Sequence, residues 1–285
     1  MHRSWVIVIL VWLFSANSNA VDTATCDVIQ QLDCEEQLGS EQKGTLVLGV
    51  GVGTALGVPD YIGSNETRNV LLPLPFISYN GPRLKVSQSG ITGKLFNSEK
   101  WFLSLSLSGA LPVNSDDNKA RAGMGDLDAV FEYGPSLKYF FYGKDSSDDA
   151  LYLDINFREA RTLELDTLDI NSSPSIVWRK KITSPILSGT VNVGSSFRLE
   201  YVSNRYAQYF YGVEAQDVTN ERALYKSSGG FAGYRMNSSA RWRKGPHQVS
   251  FFVGYANIAG ASFANSPLVK RHQHVYGGSA YFYLF

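Results

Sequence analysis

From Trp101 onward the chain alternates with a period of two over segments too long for most soluble folds, and no other feature restricts its architecture as much. Trp101, Leu103, Leu105 and Leu107 share one parity, while Phe102, Ser104, Ser106 and Ser108 hold the other. Leu127, Ala129, Phe131, Tyr133, Leu137, Tyr139 and Phe141 oppose Asp126, Asp128, Glu132, Ser136 and Lys138. Leu151, Leu153, Ile155 and Phe157 oppose Tyr152, Asp154, Asn156 and Arg158. The same holds for Val191, Val193, Phe197, Leu199 and Tyr201 against Thr190, Asn192, Ser196, Arg198 and Glu200. Successive side chains of a strand point to opposite faces, so each segment presents one apolar face and one polar face.

Length decides which solvents those faces meet. Strands of globular proteins usually run about 3 to 10 residues, whereas a tilted transmembrane strand needs roughly 9 to 11 plus some overhang. The alternation therefore reads as an antiparallel transmembrane β-barrel, with the apolar parity against acyl chains and the charged parity toward a wet interior. Segments fall near 44 to 54, 69 to 79, 82 to 96, 99 to 110, 126 to 143, 149 to 164, 170 to 182, 187 to 203, 229 to 243, 247 to 259 and 273 to 285. That count is odd, and single-chain barrels of this kind have even numbers, so about 12 strands are expected, with the extra crossing hidden between 44 and 96, and about 10 is the alternative. Connections alternate in length: 97 to 99, 183 to 185 and 243 to 247 are short, while 111 to 125, 205 to 228 and 260 to 272 are long. The asymmetry is that of short periplasmic turns and longer external loops. Trp101, Trp178 and Trp242 fall near strand ends, where an indole meets headgroups and hydrocarbon together.

Composition agrees. Sixteen Tyr, 16 Phe and 26 Gly suit pleated surfaces punctuated by turns, and 26 basic against 26 acidic residues give no electrostatic case for nucleic acid. Two cysteines cannot staple 285 residues.

Residues 1 to 20 have a basic start at His2 and Arg3, an apolar run from Trp5 to Phe14, and small residues at Ser18 and Ala20. This is the design of a secretory signal peptide, and the run is shorter than the roughly 20 residues a spanning helix needs. Export leaves a periplasmic extension over 21 to 43 and a barrel over 44 to 285. Cys26 and Cys34 lie in that extension, and an oxidising compartment favours a disulfide between them. At the other end, Tyr281, Tyr283 and Phe285 share a face, as a barrel's closing strand requires, and resemble the terminal strand that barrel assembly machinery recognises. Outer-membrane lipids are the other expected partner.

Gly49-Val50-Gly51-Val52-Gly53 lacks the Lys-Ser/Thr of a phosphate loop, and alternate glycines on a strand instead make room on its inner face. Downstream of residue 20 there are three histidines, His247, His272 and His274, read as surface residues. No Gly-x-Ser-x-Gly accompanies them, so neither an enzyme nor a cofactor is expected. The candidate functional groups are the interior charges Asp126, Asp128, Glu132, Lys138, Asp154, Arg158, Arg198, Glu200, Arg235 and Arg241. Opposed acidic and basic rows either filter solutes or pair to fill a narrow bore.

Several short motifs carry a family resemblance: Pro59-Asp60-Tyr61-Ile62-Gly63-Ser64, Leu74-Pro75, Gly134-Pro135-Ser136-Leu137, Tyr211-Gly212-Val213, Gly229-Gly230, Ser266-Pro267-Leu268-Val269 and the final Phe285. In order and spacing they resemble the MipA/OmpV family of outer-membrane proteins, from about residue 44 to the end. The resemblance implies a non-enzymatic barrel in the bacterial outer membrane. It would serve as an envelope scaffold joining a lytic murein transglycosylase to a murein synthase or, alternatively, as a porin-like channel for small solutes. The 21 to 43 extension lies outside the resemblance.

Overall fold

The computed structural model describes residues 45–81, 84–87, 90–184 and 188–285. The leader, the extension and its two cysteines lie outside the described residues. Within them the chain forms thirteen strand segments in a single antiparallel sheet. These are β1 (Thr45–Pro59), β2 (Thr67–Asn80), β3 (Leu84–Ser87), β4 (Gly90–Asn97), β5 (Trp101–Ala110), β6 (Val130–Tyr142) and β7 (Ala150–Thr162). They continue as β8 (Thr167–Ser172), β9 (Ser175–Ser184), β10 (Gly189–Val202), β11 (Gly230–Lys244), β12 (His247–Asn257) and β13 (Gln273–Leu284). One helix, α1 (Asn204–Tyr211), interrupts the series.

Apart from β8 and β9, sequential neighbours pair, and the series returns on itself, because β13 pairs with β1 from Gly49↔Leu284 to Leu56↔Gly277. Three boundaries differ from the sequence reading. The stretch 82 to 96 is two segments, β3 and β4, which meet where Ser87 pairs with Gly90; at four and eight residues, both are shorter than the roughly 9 to 11 that a crossing needs. The stretch 170 to 182 belongs to an excursion broken at Ser173-Pro174, since Pro174 has no N–H for a ladder. Its halves β8 and β9 both pair with β7 and with β10. The break is fastened from inside: Asn156 Nδ2 donates to the Ser173 carbonyl at 3.0 Å, and Asn156 Oδ1 accepts the Ser173 N–H at 3.1 Å.

The third difference concerns β6, which begins at Val130 rather than at 126. Leu127 continues the apolar alternation but spends it on a separate bridge to Val113. Asp126 and Asp128 therefore lie in the preceding connection and not on a strand face. Asp126 accepts the Ser115 N–H at 2.9 Å, and the Asp128 N–H donates to Tyr209 Oη at 2.8 Å.

Parity separates the faces. On β5, Trp101, Leu105 and Leu107 are exposed while Phe102 and Ser104 are buried; on β1, Leu46, Leu48, Val50 and Val52 are exposed. The outer face also carries Ile77, Leu137, Phe157, Ile176, Trp178, Phe197, Phe251, Val253, Tyr281 and Tyr283. A monomer in water rarely exposes a continuous apolar patch larger than a few hundred Å².

On the opposite face, large side chains lie over glycines of the next strand. Phe282 faces Gly51 across β13–β1, and Tyr276 faces Gly254 across β13–β12, in each case so closely that a Cβ on the glycine would overlap the ring. Toward the short-turn end, Phe76, Phe282 and Leu284 form one buried cluster, and Phe102, Phe140 and Ala150 form another.

Candidate functional site

The opposite end is closed by its own loops. The connections 60–66, 111–129, 203–229 and 258–272 pack around a core containing Tyr61, Val113, Leu127, Phe210, Tyr211, Ile258 and Phe263. Helix α1 is the centrepiece. Ser203 caps it by accepting the Tyr206 N–H at 3.1 Å, which satisfies a donor the helix start would leave free. Its far end places the Tyr211 ring on Phe263 at 3.8 Å, with 7° between the planes.

Hydrogen bonds tie the loops to one another. Tyr61 Oη donates to the Leu268 carbonyl and Tyr211 Oη to the Ile62 carbonyl, both at 2.7 Å. Ser266 Oγ donates to the Tyr211 carbonyl at 2.6 Å. Burial pushes the phenols of Tyr61 and Tyr211 well above the ordinary tyrosine range, so both remain donors. Arg121 is buried and donates to the carbonyls of Phe210 and Gly125; burial lowers its pKa from the usual arginine value. Arg222 reaches the carbonyls of Ala120 and Asp217. The Gly63 carbonyl accepts from the Lys270 and Arg271 N–H groups, while the Gly63 N–H donates to His274 Nε2 at 3.0 Å. His274 is thus buried and not a surface residue; His247 and His272 are exposed.

Beneath this cap lies a chamber of about 310 Å³. Strands β6, β7, β10 and β11 deliver Glu132, Arg158, Arg198, Glu200 and Arg235 to its wall, because all five occupy the inner parity. Glu132 accepts from Arg158 Nε at 2.9 Å and from Asn171 Nδ2 at 3.2 Å, and Arg158 Nη2 donates to Ser173 Oγ at 2.8 Å. Arg235 Nε and Arg198 Nη1 approach the same oxygen, Glu200 Oε1, at 3.3 and 3.9 Å. At the rim Arg68 Nε pairs with Asp60 at 2.9 Å.

The other sequence candidates stand apart from the chamber. Lys138 is opposite Asp154 on β6–β7; its Nζ lies 5.3 Å from the Phe102 ring centre, and Asp154 accepts from Ser136 Oγ at 2.6 Å. Arg241 is exposed, between Asn192 and Ser250. Tyr281, Tyr283 and Phe285 turn to the outer face, where Tyr283 and Phe285 rings lie 6.4 Å apart. Sequence reasoning missed Asn171, Tyr206, Asp60 and Arg68, all chamber-lining. Ser203 ahead of Tyr206, Ala207, Phe210 and Tyr211 was the readable signal for α1, a capping serine before a helical apolar stripe.

Three of the short motifs singled out in the sequence meet in this cap: Tyr61, Gly63 and Ser64 from one loop, Tyr211 and Val213 from another, Ser266, Leu268 and Val269 from a third. The family profile described as MltA-interacting protein MipA matches residues 48–285. The chain belongs to that family. The match covers every described strand except the first three residues of β1, so the capped sheet as a whole is the MipA unit. No curated protein matches the chain. Among the described residues, no helix is long and apolar enough to cross a membrane, which leaves crossing by strands untouched.

Proposed function

We propose that this MipA-family chain is exported by its leader and closes into a barrel of roughly 12 crossings in the bacterial outer membrane. There it acts as a non-enzymatic scaffold for murein-cleaving and murein-synthesising enzymes. Outer-membrane placement is supported by the apolar outer parity, which hydrocarbon solvates without cost. The family description names MltA as an interaction partner.

The observation that favours a scaffold over a solute channel is the cap. Loops joined by buried aromatic packing and by hydrogen bonds from Tyr61, Tyr211, Arg121 and Arg222 fill the long-loop end, and aromatic clusters occupy the inner face toward the turns. A channel requires a continuous wet path, and this arrangement favours a chamber instead. Docking then falls to the 143 to 149 connection and the 243 to 247 turn on the short-turn side, and to the 21 to 43 extension. That extension carries Cys26, Cys34 and the acidic run Asp33-Cys34-Glu35-Glu36, suited to a basic partner.

Capture of a purified MltA-type transglycosylase tests this. The full chain should retain it, and a chain lacking residues 21 to 43 should retain less. Equal failure of both, together with reproducible ionic steps in a planar bilayer, would replace the scaffold by the channel.

A further inference from the structure

The two ionic clusters of the chamber are unequally satisfied. Glu132 has Arg158 on one oxygen and Asn171 on the other, and Arg158 is further held by Ser173. Arg198 and Arg235 instead stand directly opposite each other across β10–β11 and share one oxygen of Glu200. Like charges placed opposite each other on neighbouring strands repel. Arg198 Nε is buried with no hydrogen-bond partner, a costly state for a guanidinium. Counting the rim pair, four arginines and three carboxylates line the chamber, an excess of one positive charge.

Among the described residues, the wall beside the chamber is also incompletely paired. Among the described residues, β2 is paired on its β3 side only at Tyr79 and Asn80, and β5 on its β4 side only from Phe102 to Leu105. The unpaired length of β2 contains Pro73 and Pro75, which offer no N–H to a ladder and belong at strand edges. Leu71 and Leu72 beside them are 69% and 51% exposed. The chamber lining reaches both margins of this gap, Arg68 on β2 and Ser108, Gly109 and Ala110 on β5. Arg68 Nη2 spans its upper edge to the Pro112 carbonyl at 3.4 Å.

We propose that the chamber binds a small amphipathic carboxylate, its head between Arg198 and Arg235 and its apolar chain along the gap between β2 and β5. A planar carboxylate matches the fork geometry of guanidinium donors and supplies the missing negative charge. Phe210, Phe263 and Ile258 give the chamber the apolar surface a short acyl chain needs. The chain's course through the gap rests on the membrane placement proposed above; the recognition of the head does not, and neither depends on the scaffold role.

The full chain in lipid nanodiscs, titrated calorimetrically with acetate, octanoate, octanamide and inorganic phosphate against empty nanodiscs, tests this. Octanoate should bind at least about tenfold more tightly than each of the others, and Arg198→Gln or Arg235→Gln should weaken it by about tenfold. Glu200→Gln removes the competing carboxylate and should tighten it. Should either arginine variant lose the gel mobility of a folded barrel, Glu200→Gln decides alone: tighter binding supports the site and unchanged binding overturns it. Octanoate bound no better than octanamide or acetate, or phosphate preferred to octanoate, also overturns it. Transglycosylase capture uses none of these groups, so the two readings fail separately.

Discussion

The Phe282 ring lies against Gly51, its partner across the β13–β1 pairing where the last strand meets the first. A Cβ at position 51 would overlap both that ring and the Tyr281 carbonyl. The glycine gives Phe282 the room to reach Phe76, at 5.3 Å between ring centres, and so to pack the interior toward the turns.

Gly51→Ala should therefore destabilise the folded protein by about 1–3 kcal/mol, the usual cost of overpacking a filled interior. Urea unfolding in lipid vesicles measures it. Gly125→Ala, where the added carbon meets nothing within 4 Å, should stay within about 0.5 kcal/mol of the parent.

The Glu132–Arg158 pair is buried, with side-chain exposures of 10% and 8%. Removing one partner leaves a buried charge uncompensated, so Arg158→Met should cost about 3–5 kcal/mol in the same unfolding measurement. Adding Glu132→Gln removes the orphaned charge and should restore most of the loss. A double variant as weak as the single one would place the cost in packing and not in charge.

The cap should loosen in alkali. Burial raises the phenol pKa values of Tyr61 and Tyr211 above their unfolded values, so folding favours the neutral form. That stability is fully present below the ordinary tyrosine pKa of about 10 and is lost as pH rises above it. Limited proteolysis of the 203 to 229 connection should accelerate above about pH 10. Tyr61→Phe, which loses the bond to the Leu268 carbonyl, should raise cleavage at neutral pH and reduce the alkaline increment.

The strands were legible because a side-chain period of two survives any register, and membrane strands must keep it over their whole length. Trp101 to Ser108 announced both faces of β5, and Glu132, Arg158, Arg198, Glu200 and Arg235 fell on the parity that now lines the chamber. The same rule misled at Leu127, where the alternation continued past the strand into a bridge with Val113. The cap was not legible. Its helix is eight residues long, and Tyr61, Tyr211 and Leu268 meet across more than a hundred residues, a convergence no local pattern encodes. The short motifs singled out in the sequence marked these residues without saying that they touch. The gap beside β2 was hidden for a related reason, since Pro73 and Pro75 read as interruptions of a strand and only the pairing reveals an edge.

The central claim is that the apolar outer parity is solvated by acyl chains. Trp101, Trp178 and Trp242 all lie on that parity, opposite Tyr139, Ser195 and Val191. Single-tryptophan variants retaining each in turn, reconstituted in vesicles of phospholipid brominated along the acyl chains, report contact with hydrocarbon directly through fluorescence quenching. Strong quenching of all three is expected, with little for a tryptophan placed at the inward position of Phe102. Quenching absent at all three, with the inward tryptophan no different, would contradict it.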